Sequence, residues 1–230
     1  MRPWSRRALA MLAALPLLAA LPAAAETAVL ELYLARHGQT DWNLKKKIQG
    51  STDNKLNATG QDQARALGVK LAGVALDAVY TSGLVRAKET AAIAVPGLAA
   101  TALPALNERS FGKFEGIAED KADPALLEEF KARSADPEDS LDGGESLASQ
   151  AERVAAAVAE IRAAHPSGRI LIVSHGGVTP LILAALLGMP PAEARATIAQ
   201  ATDEVYLVRL VGDAPPVIWK AIPADKLDQL

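Results

Sequence analysis

The chain has 230 residues, half of them hydrophobic and 22% charged, with 24 Lys+Arg against 27 Asp+Glu, three His and no Cys. Ample apolar content argues against a disordered chain, and the net charge of -3 with 4% aromatics argues against a nucleic-acid coat, which wants a basic face and stacking surfaces. Lack of Cys excludes disulfides, thiol nucleophiles and thiolate-held metals, and the length suits one domain or at most two small ones.

Arg2, Arg6 and Arg7 precede an apolar run over residues 8–21, followed by Pro22, Ala23-Ala24-Ala25 and polar Glu26. A basic start, a short apolar stretch and a small-residue cleavage site predict a secretory signal over residues 1–25, hence export to a periplasm or the medium. Pro16 interrupts the run, which is shorter than the roughly 20 residues a bilayer core requires, so cleavage is favoured over a retained anchor. No stable membrane insertion is expected after cleavage. The Arg6-Arg7 pair leaves the general and twin-arginine routes both open. Removing residues 1–25 takes three Arg, leaving 21 Lys+Arg against 27 Asp+Glu and a net charge of -6.

Residues 29–35 (VLELYLA) form a short apolar run with Glu31 as its one charge, which predicts a buried strand. A helix is expected from Ala58, opened by a capping-box-like Thr59-x-x-Asp62. A strand over 76–80 and a helix over 84–94, stopped by Pro96, come next. Residues 116–144 lack a clean period and carry Pro124, Pro137 and Gly143-Gly144, which predicts a lid-like insertion. A long Ala-rich helix over 146–164, capped by Ser146, leads to a buried strand at 170–173 (ILIV). A helix over 178–187 and two late strands, 204–211 and 217–222, complete the chain. Strands alternating with helices predict an α/β domain over residues 26–230: three layers, a mostly parallel central sheet and helices on both faces.

In such sheets ligands sit beyond the carboxyl ends of the strands. Two buried strands here end in histidine, one in Arg36-His37-Gly38 and the other in Ser174-His175-Gly176-Gly177. Parallel neighbours would place both imidazoles on one rim. The alternative is a pair of strand-end histidines satisfied by backbone groups. His165, at a helix end before Pro166, reads as a residue bonding the last carbonyls. Arg36 adds a fixed cation. Arg86, on the first turn after Thr81-Ser82, could aim at an anion; in isolation it would read as a surface Arg paired with Glu89 or Thr90. Two His and two Arg suit a phosphoryl group better than a metal, for which no H-x-H or H-E-x-x-H spacing occurs.

These residues fall into ordered blocks. Leu34-Ala35-Arg36-His37-Gly38-Gln39-Thr40-Asp41-Trp42-Asn43, with Ile48-Gln49-Gly50 after it, resembles the signature of the histidine phosphatase superfamily, the group that contains the cofactor-dependent phosphoglycerate mutases. Ser82-x-x-x-Arg86-Ala87-x-Glu89-Thr90, Leu106-Asn107-Glu108-Arg109, Gly143-Gly144-Glu145-Ser146 and Val173-Ser174-His175-Gly176-Gly177 follow in that family's order. Gly176 stands where the acid phosphatase and phytase branch has Asp, so the chain resembles the mutase-like branch. The resemblance implies a phosphoglycerate mutase-like fold and a metal-independent, cofactor-free phosphomonoester hydrolase for a small-molecule substrate, with no nucleic acid partner. It implies His37 as nucleophile forming a phosphohistidine. Arg36, Arg86 and His175 would hold the phosphoryl oxygens, with Asn43 as a neutral donor. Glu108 would be the proton donor and acceptor, expected to stay protonated near neutral pH; read alone it would be a surface carboxylate paired with Arg109. Gln49, Gly50 and Gly176 would touch substrate. A mutase-type phosphotransferase and a non-catalytic phosphate-ligand binder are the alternatives.

Overall fold

The computed structural model describes residues 28–221. The signal-like segment lies outside the described residues, as does Ile222 at the end of the last expected strand. In chain order the elements are β1 (Val29–Arg36), α1 (Asp41–Leu44), α2 (Ala58–Lys70), β2 (Ala78–Thr81), α3 (Val85–Ala94), β3 (Ala100–Ala102), α4 (Pro124–Ala135), α5 (Leu147–Ala164), β4 (Gly168–Ser174), α6 (Thr179–Leu187), α7 (Pro191–Thr197), β5 (Val205–Val211) and β6 (Val217–Ala221). The six strands form one sheet in the order β3-β2-β4-β1-β5-β6. The first four in that order run parallel, and β5 and β6 add an antiparallel edge. The sheet is therefore mixed, with its parallel part at the centre. No helix among the described residues is long and apolar enough to cross a membrane.

The central strand β4 is apolar on both faces because both are covered, as a parallel sheet requires. Ile170 and Ile172 pack with Leu32, Leu34, Val154, Val158 and Ile161 on the side of α5 and α6. Leu171 and Val173 pack with Leu67, Leu71, Ala87 and Ala91 on the side of α2 and α3. Glu31 is tolerated in β1 because Arg209 on one neighbouring strand and Arg169 on the other bond its carboxylate, at 2.6–3.1 Å. Burial would raise its pKa, but those two guanidinium groups hold it below the ordinary 4.5.

The helix starts follow side-chain caps. Asn57, not Thr59, caps α2: its side chain accepts from the Gly60 amide at 2.9 Å, and Thr59 already lies in the first turn. Asp62 turns outward to Arg65. Ser146 caps α5 as expected, accepting from Ser149 N. His165 is the C-cap of α5, but its ring meets the Tyr80 hydroxyl at 2.9 Å rather than helix carbonyls. The 116–144 insertion contains an ordered helix, α4, that periodicity did not reveal. Asp123 accepts from Ala125 N and Pro124 occupies the first turn, so the proline taken for a breaker is a starter.

Candidate active site

The parallel register builds the site. Arg36 pairs with Ser174 across β1 and β4, and Thr81 pairs with Val173 across β2 and β4. The next residue of each strand is therefore His37, His175 and Ser82, side by side at the carboxyl rim. The backbone continues the ladder one step further, with His37 N donating to Ser174 O (3.0 Å) and Ser82 N to Val173 O (3.1 Å). The two imidazole centroids lie 5.1 Å apart. His37 and His175 are both buried, as is Arg86; Arg36 and Glu108 are partly so.

His37 Nδ1 sits 2.7 Å from the Gly38 carbonyl. A carbonyl only accepts, so Nδ1 carries the hydrogen and Nε2 keeps its lone pair. His175 Nε2 lies 2.8 Å from Ser82 Oγ, which also accepts from Leu84 N at 3.3 Å. With the Ser82 hydroxyl donating to Nε2, the ring's hydrogen sits on Nδ1, which is buried without a protein partner and free to meet an anion. Burial pushes both imidazoles well below the ordinary 6.5. For His37 the neighbouring His175 and then Arg86 and Arg36 add to this; for His175, Arg86 and Arg36 do. Both rings are neutral at physiological pH.

The guanidinium groups are held from behind. Arg36 donates from one terminal nitrogen to Gln200 O (2.9 Å), and Arg86 donates to Thr52 O (2.8 Å) and Gly50 O (2.7 Å). Arg86 is thus no surface residue, and Glu89 instead accepts from Leu56 N. Burial lowers Arg86 to about 10, opposed by Glu108, Asp53 and Glu115, so it stays cationic. The Nε atoms of both arginines are buried without a partner. Among the described residues no three His, Asp or Glu side chains group as metal ligands. The unpartnered donors instead complement an anion.

Glu108 does not pair with the Arg109 side chain. Its Oε1 accepts from Arg109 N (3.0 Å) and Gln150 Nε2 (3.2 Å), and its Oε2 from Gly177 N (2.9 Å). Burial would raise its pKa, but Arg195 and these donors outweigh burial and hold the carboxyl below 4.5. The carboxyl is thereby held toward its ionised form, whereas the resemblance implied one kept protonated near neutral pH.

A cavity of about 310 Å³ opens over these groups, lined by Arg36, His37, Asn43, Gln49, Gly50, Arg86 and Glu108. Lys47, Arg195, Phe111 and Phe130 contribute to its wall. Asn43 accepts from Thr40 N at 3.0 Å through Oδ1, which leaves its amide hydrogens available. Gln49 Oε1 lies 2.7 Å from Thr40 Oγ1, which orients that amide likewise. Gly50, at φ +54°, leaves room for Glu115 and offers its carbonyl to Arg86. Gly176 is not among the lining residues. Its Cα is covered by Arg36, whose guanidinium would lie 3.1 Å from an added Cβ. Gly176 packs closely against that guanidinium.

Composition and spacing left Arg195, Gln150, Gln200 and the Ser82 hydroxyl unassigned. Arg195 and Gln200 follow the last block with no local pattern to mark them; only the return of α7 and its exit loop to the rim brings them in. The insertion meets the site through Lys47, which pairs with Ala118, and through Phe130 of α4, whose ring stands edge-on to Phe111 at 5.4 Å.

A family model described as histidine phosphatase superfamily (branch 1) matches residues 32–219. An uncharacterized phosphatase, PhoE, of Bacillus subtilis is 36% identical over 160 residues, covering 69% of this chain and 78% of that protein. Among solved structures, the α-ribazole phosphatase of Shigella flexneri is 31% identical with a TM-score of 0.69, covering 78% of this chain and 90% of that one. A mycobacterial glucosyl-3-phosphoglycerate phosphatase, solved with VO3, is 28% identical with a TM-score of 0.70, covering 80% and 99%.

Proposed function

The chain belongs to the histidine phosphatase superfamily, branch 1, and from that premise we propose that it hydrolyses small phosphomonoesters through a phosphohistidine at His37, without a metal or organic cofactor. The observation that carries the reading is the pair of imidazoles 5.1 Å apart between two arginines whose buried Nε donors lack partners. The named phosphatases among its relatives agree with it. The cavity volume suits a small molecule rather than a folded partner.

His37 Nε2, already free of its hydrogen, attacks phosphorus in line with the ester oxygen. Arg36, Arg86 and the His175 Nδ1 hydrogen bind the equatorial oxygens, where charge spreads in the transition state. Asn43 and Gln49 add neutral donors. Glu108 protonates the departing ester oxygen and then takes a proton from the water that hydrolyses the phosphohistidine. Low pKa values favour the neutral nucleophile, so burial serves the chemistry directly.

Hydrolysis is favoured over mutase transfer by the insertion's own charges. Arg133 is bonded to Asp139, Asp142 and Glu129, and Lys131 to Glu128, so these cations are already engaged rather than holding a second phosphoryl group. The signal-like residues 1–25 support export; N-terminal sequencing of protein recovered outside the cytoplasm checks it, and a chain still beginning at Met1 would refute it. The central experiment is steady-state hydrolysis of p-nitrophenyl phosphate, with acid-labile phosphate trapped on His37. Turnover without any such label would overturn the phosphohistidine, and transfer to an added alcohol-bearing phosphoester in preference to water would favour the mutase.

A further inference from the structure

Arg195 projects from α7 into the wall of the active-site cavity, half-buried, and no hydrogen bond or ion pair ties its guanidinium to another side chain among the described residues. Its guanidinium and the Glu108 carboxylate cross over the same backbone point. A Cβ at Gly177 would meet both Arg195 Nη1 and Glu108 Oε1, so glycine lets the two groups approach the same point. The Gly177 amide meanwhile donates to Glu108 Oε2. The carboxylate accepts from three neutral donors (Gly177 N, Arg109 N and Gln150 Nε2), with the Arg195 guanidinium near it over Gly177.

We infer that Arg195 is a positioning residue for Glu108: its guanidinium stands beside the carboxylate over Gly177 and favours the ionised form there, so that Glu108 takes from the incoming ester the proton it later donates. This rests on the hydrolase reading above. The charged groups facing Glu108 are Arg195 from α7, Arg153 from α5 (3.5 Å to the Glu108 carbonyl), Arg36 from the end of β1, Arg86 from α3 and its own neighbour Arg109. All are cations; burial raises the carboxyl's pKa most, and Arg195 is the strongest of the influences that lower it.

The step balances. The ester arrives as the monoanion RO–PO3H⁻, whose second ionisation lies at about 6. Its hydroxyl proton passes to Glu108, leaving the dianion on Arg36, Arg86 and His175. His37 Nε2 then bonds to phosphorus, the P–OR bond breaks with its electron pair on oxygen, and the Glu108 proton completes ROH. Glu108 returns to the carboxylate, ready to accept from water in the second half.

The test compares pH profiles of kcat/KM for β-glycerophosphate and p-nitrophenyl phosphate in the wild type, R195Q and R195K, each checked for cooperative melting. In the wild type the alkaline limb for the alkyl ester should fall at that ester's own second ionisation. In R195Q the acid limb for the alkyl ester should rise by about one pH unit, the effect of losing one close opposite charge. Its kcat should drop about tenfold, while the acid limb for the nitrophenyl ester, whose leaving group needs no proton, stays in place. R195K should restore the limb. An unmoved acid limb in an active R195Q, or equal losses for both esters at every pH, would overturn the role of Arg195. Hydrolysis of neither ester by the wild type would instead overturn the reading on which it rests.

Discussion

Arg86 and Arg109 are the two largest fully buried side chains among the described residues, and they serve opposite regions. Arg109 stands beneath the insertion, where Nε donates to Glu145 O (2.7 Å), Nη1 to Ser134 O (3.0 Å) and Nη2 to Asp139 O (2.8 Å). Every nitrogen has a carbonyl, so it staples the insertion to the segment that carries Glu108. Arg86, at the strand rim, uses its two terminal nitrogens on Thr52 O and Gly50 O and leaves Nε without a partner. The same guanidinium is structural where all its donors are used and functional where one is withheld. The insertion as a whole follows the first pattern, with Arg133 locked between Asp139 and Asp142. The rim follows the second, with Arg36 Nε and His175 Nδ1 also unpartnered.

The largest test of that contrast is His37→Ala. It should lower kcat by at least about 10³-fold and abolish the acid-labile label, while thermal melting changes little. A variant with near-wild-type rate would remove His37 from the chemistry. Next, Glu108→Gln should cost about 10²–10⁴-fold on alkyl esters and much less on p-nitrophenyl phosphate, read as the ratio of kcat/KM values. Equal losses on both would show that Glu108 is not the acid.

The paired variants Arg86→Met and Arg109→Met cut between the two regions directly. Arg86→Met should lower kcat/KM by about 10²–10³-fold. Arg109→Met strips three partly buried carbonyls of their donors and leaves a cavity where a buried guanidinium stood, and should lose about 2–4 kcal/mol of stability, read by denaturant unfolding. If the first loses mainly stability and the second mainly rate, the contrast is wrong.

The smallest effect is in pH. Both rim histidines are held neutral by burial and nearby cations, so their folded pKa values lie well below the unfolded 6.5. Below pH 6.5 the unfolded chain binds protons that the folded chain refuses. Stability should therefore be unaffected by these groups above 6.5 and decline as pH falls from there toward the depressed folded values. Replacing His175 by Asn should flatten part of that decline, measured as unfolding midpoints at neutral and mildly acidic pH. The neutral nucleophile also predicts that kcat/KM holds below pH 6.5 before its acid limb begins.

Local chemistry in the chain determined much of this protein: two apolar strands each ending in His-Gly, a cation beside the first, and an Arg on the first turn after Thr81-Ser82. Apolar runs and strand-end glycines are written residue by residue, because burial and backbone freedom are properties of short segments. The helix α4 was legible too, in Asp123-Pro124, although Pro was read as a break. Tertiary structure alone decided the rest. The parallel register of β1 against β4 made His37 and His175 neighbours across 138 residues of chain. The return of α7 set Arg195 over Gly177, and the fold gathered the Gly177 and Arg109 amides and Gln150 around Glu108, where the residue read alone would be a surface carboxylate paired with Arg109. Proximity across the sheet and the sum of charges at one point depend on where distant segments are packed, and no local pattern encodes either.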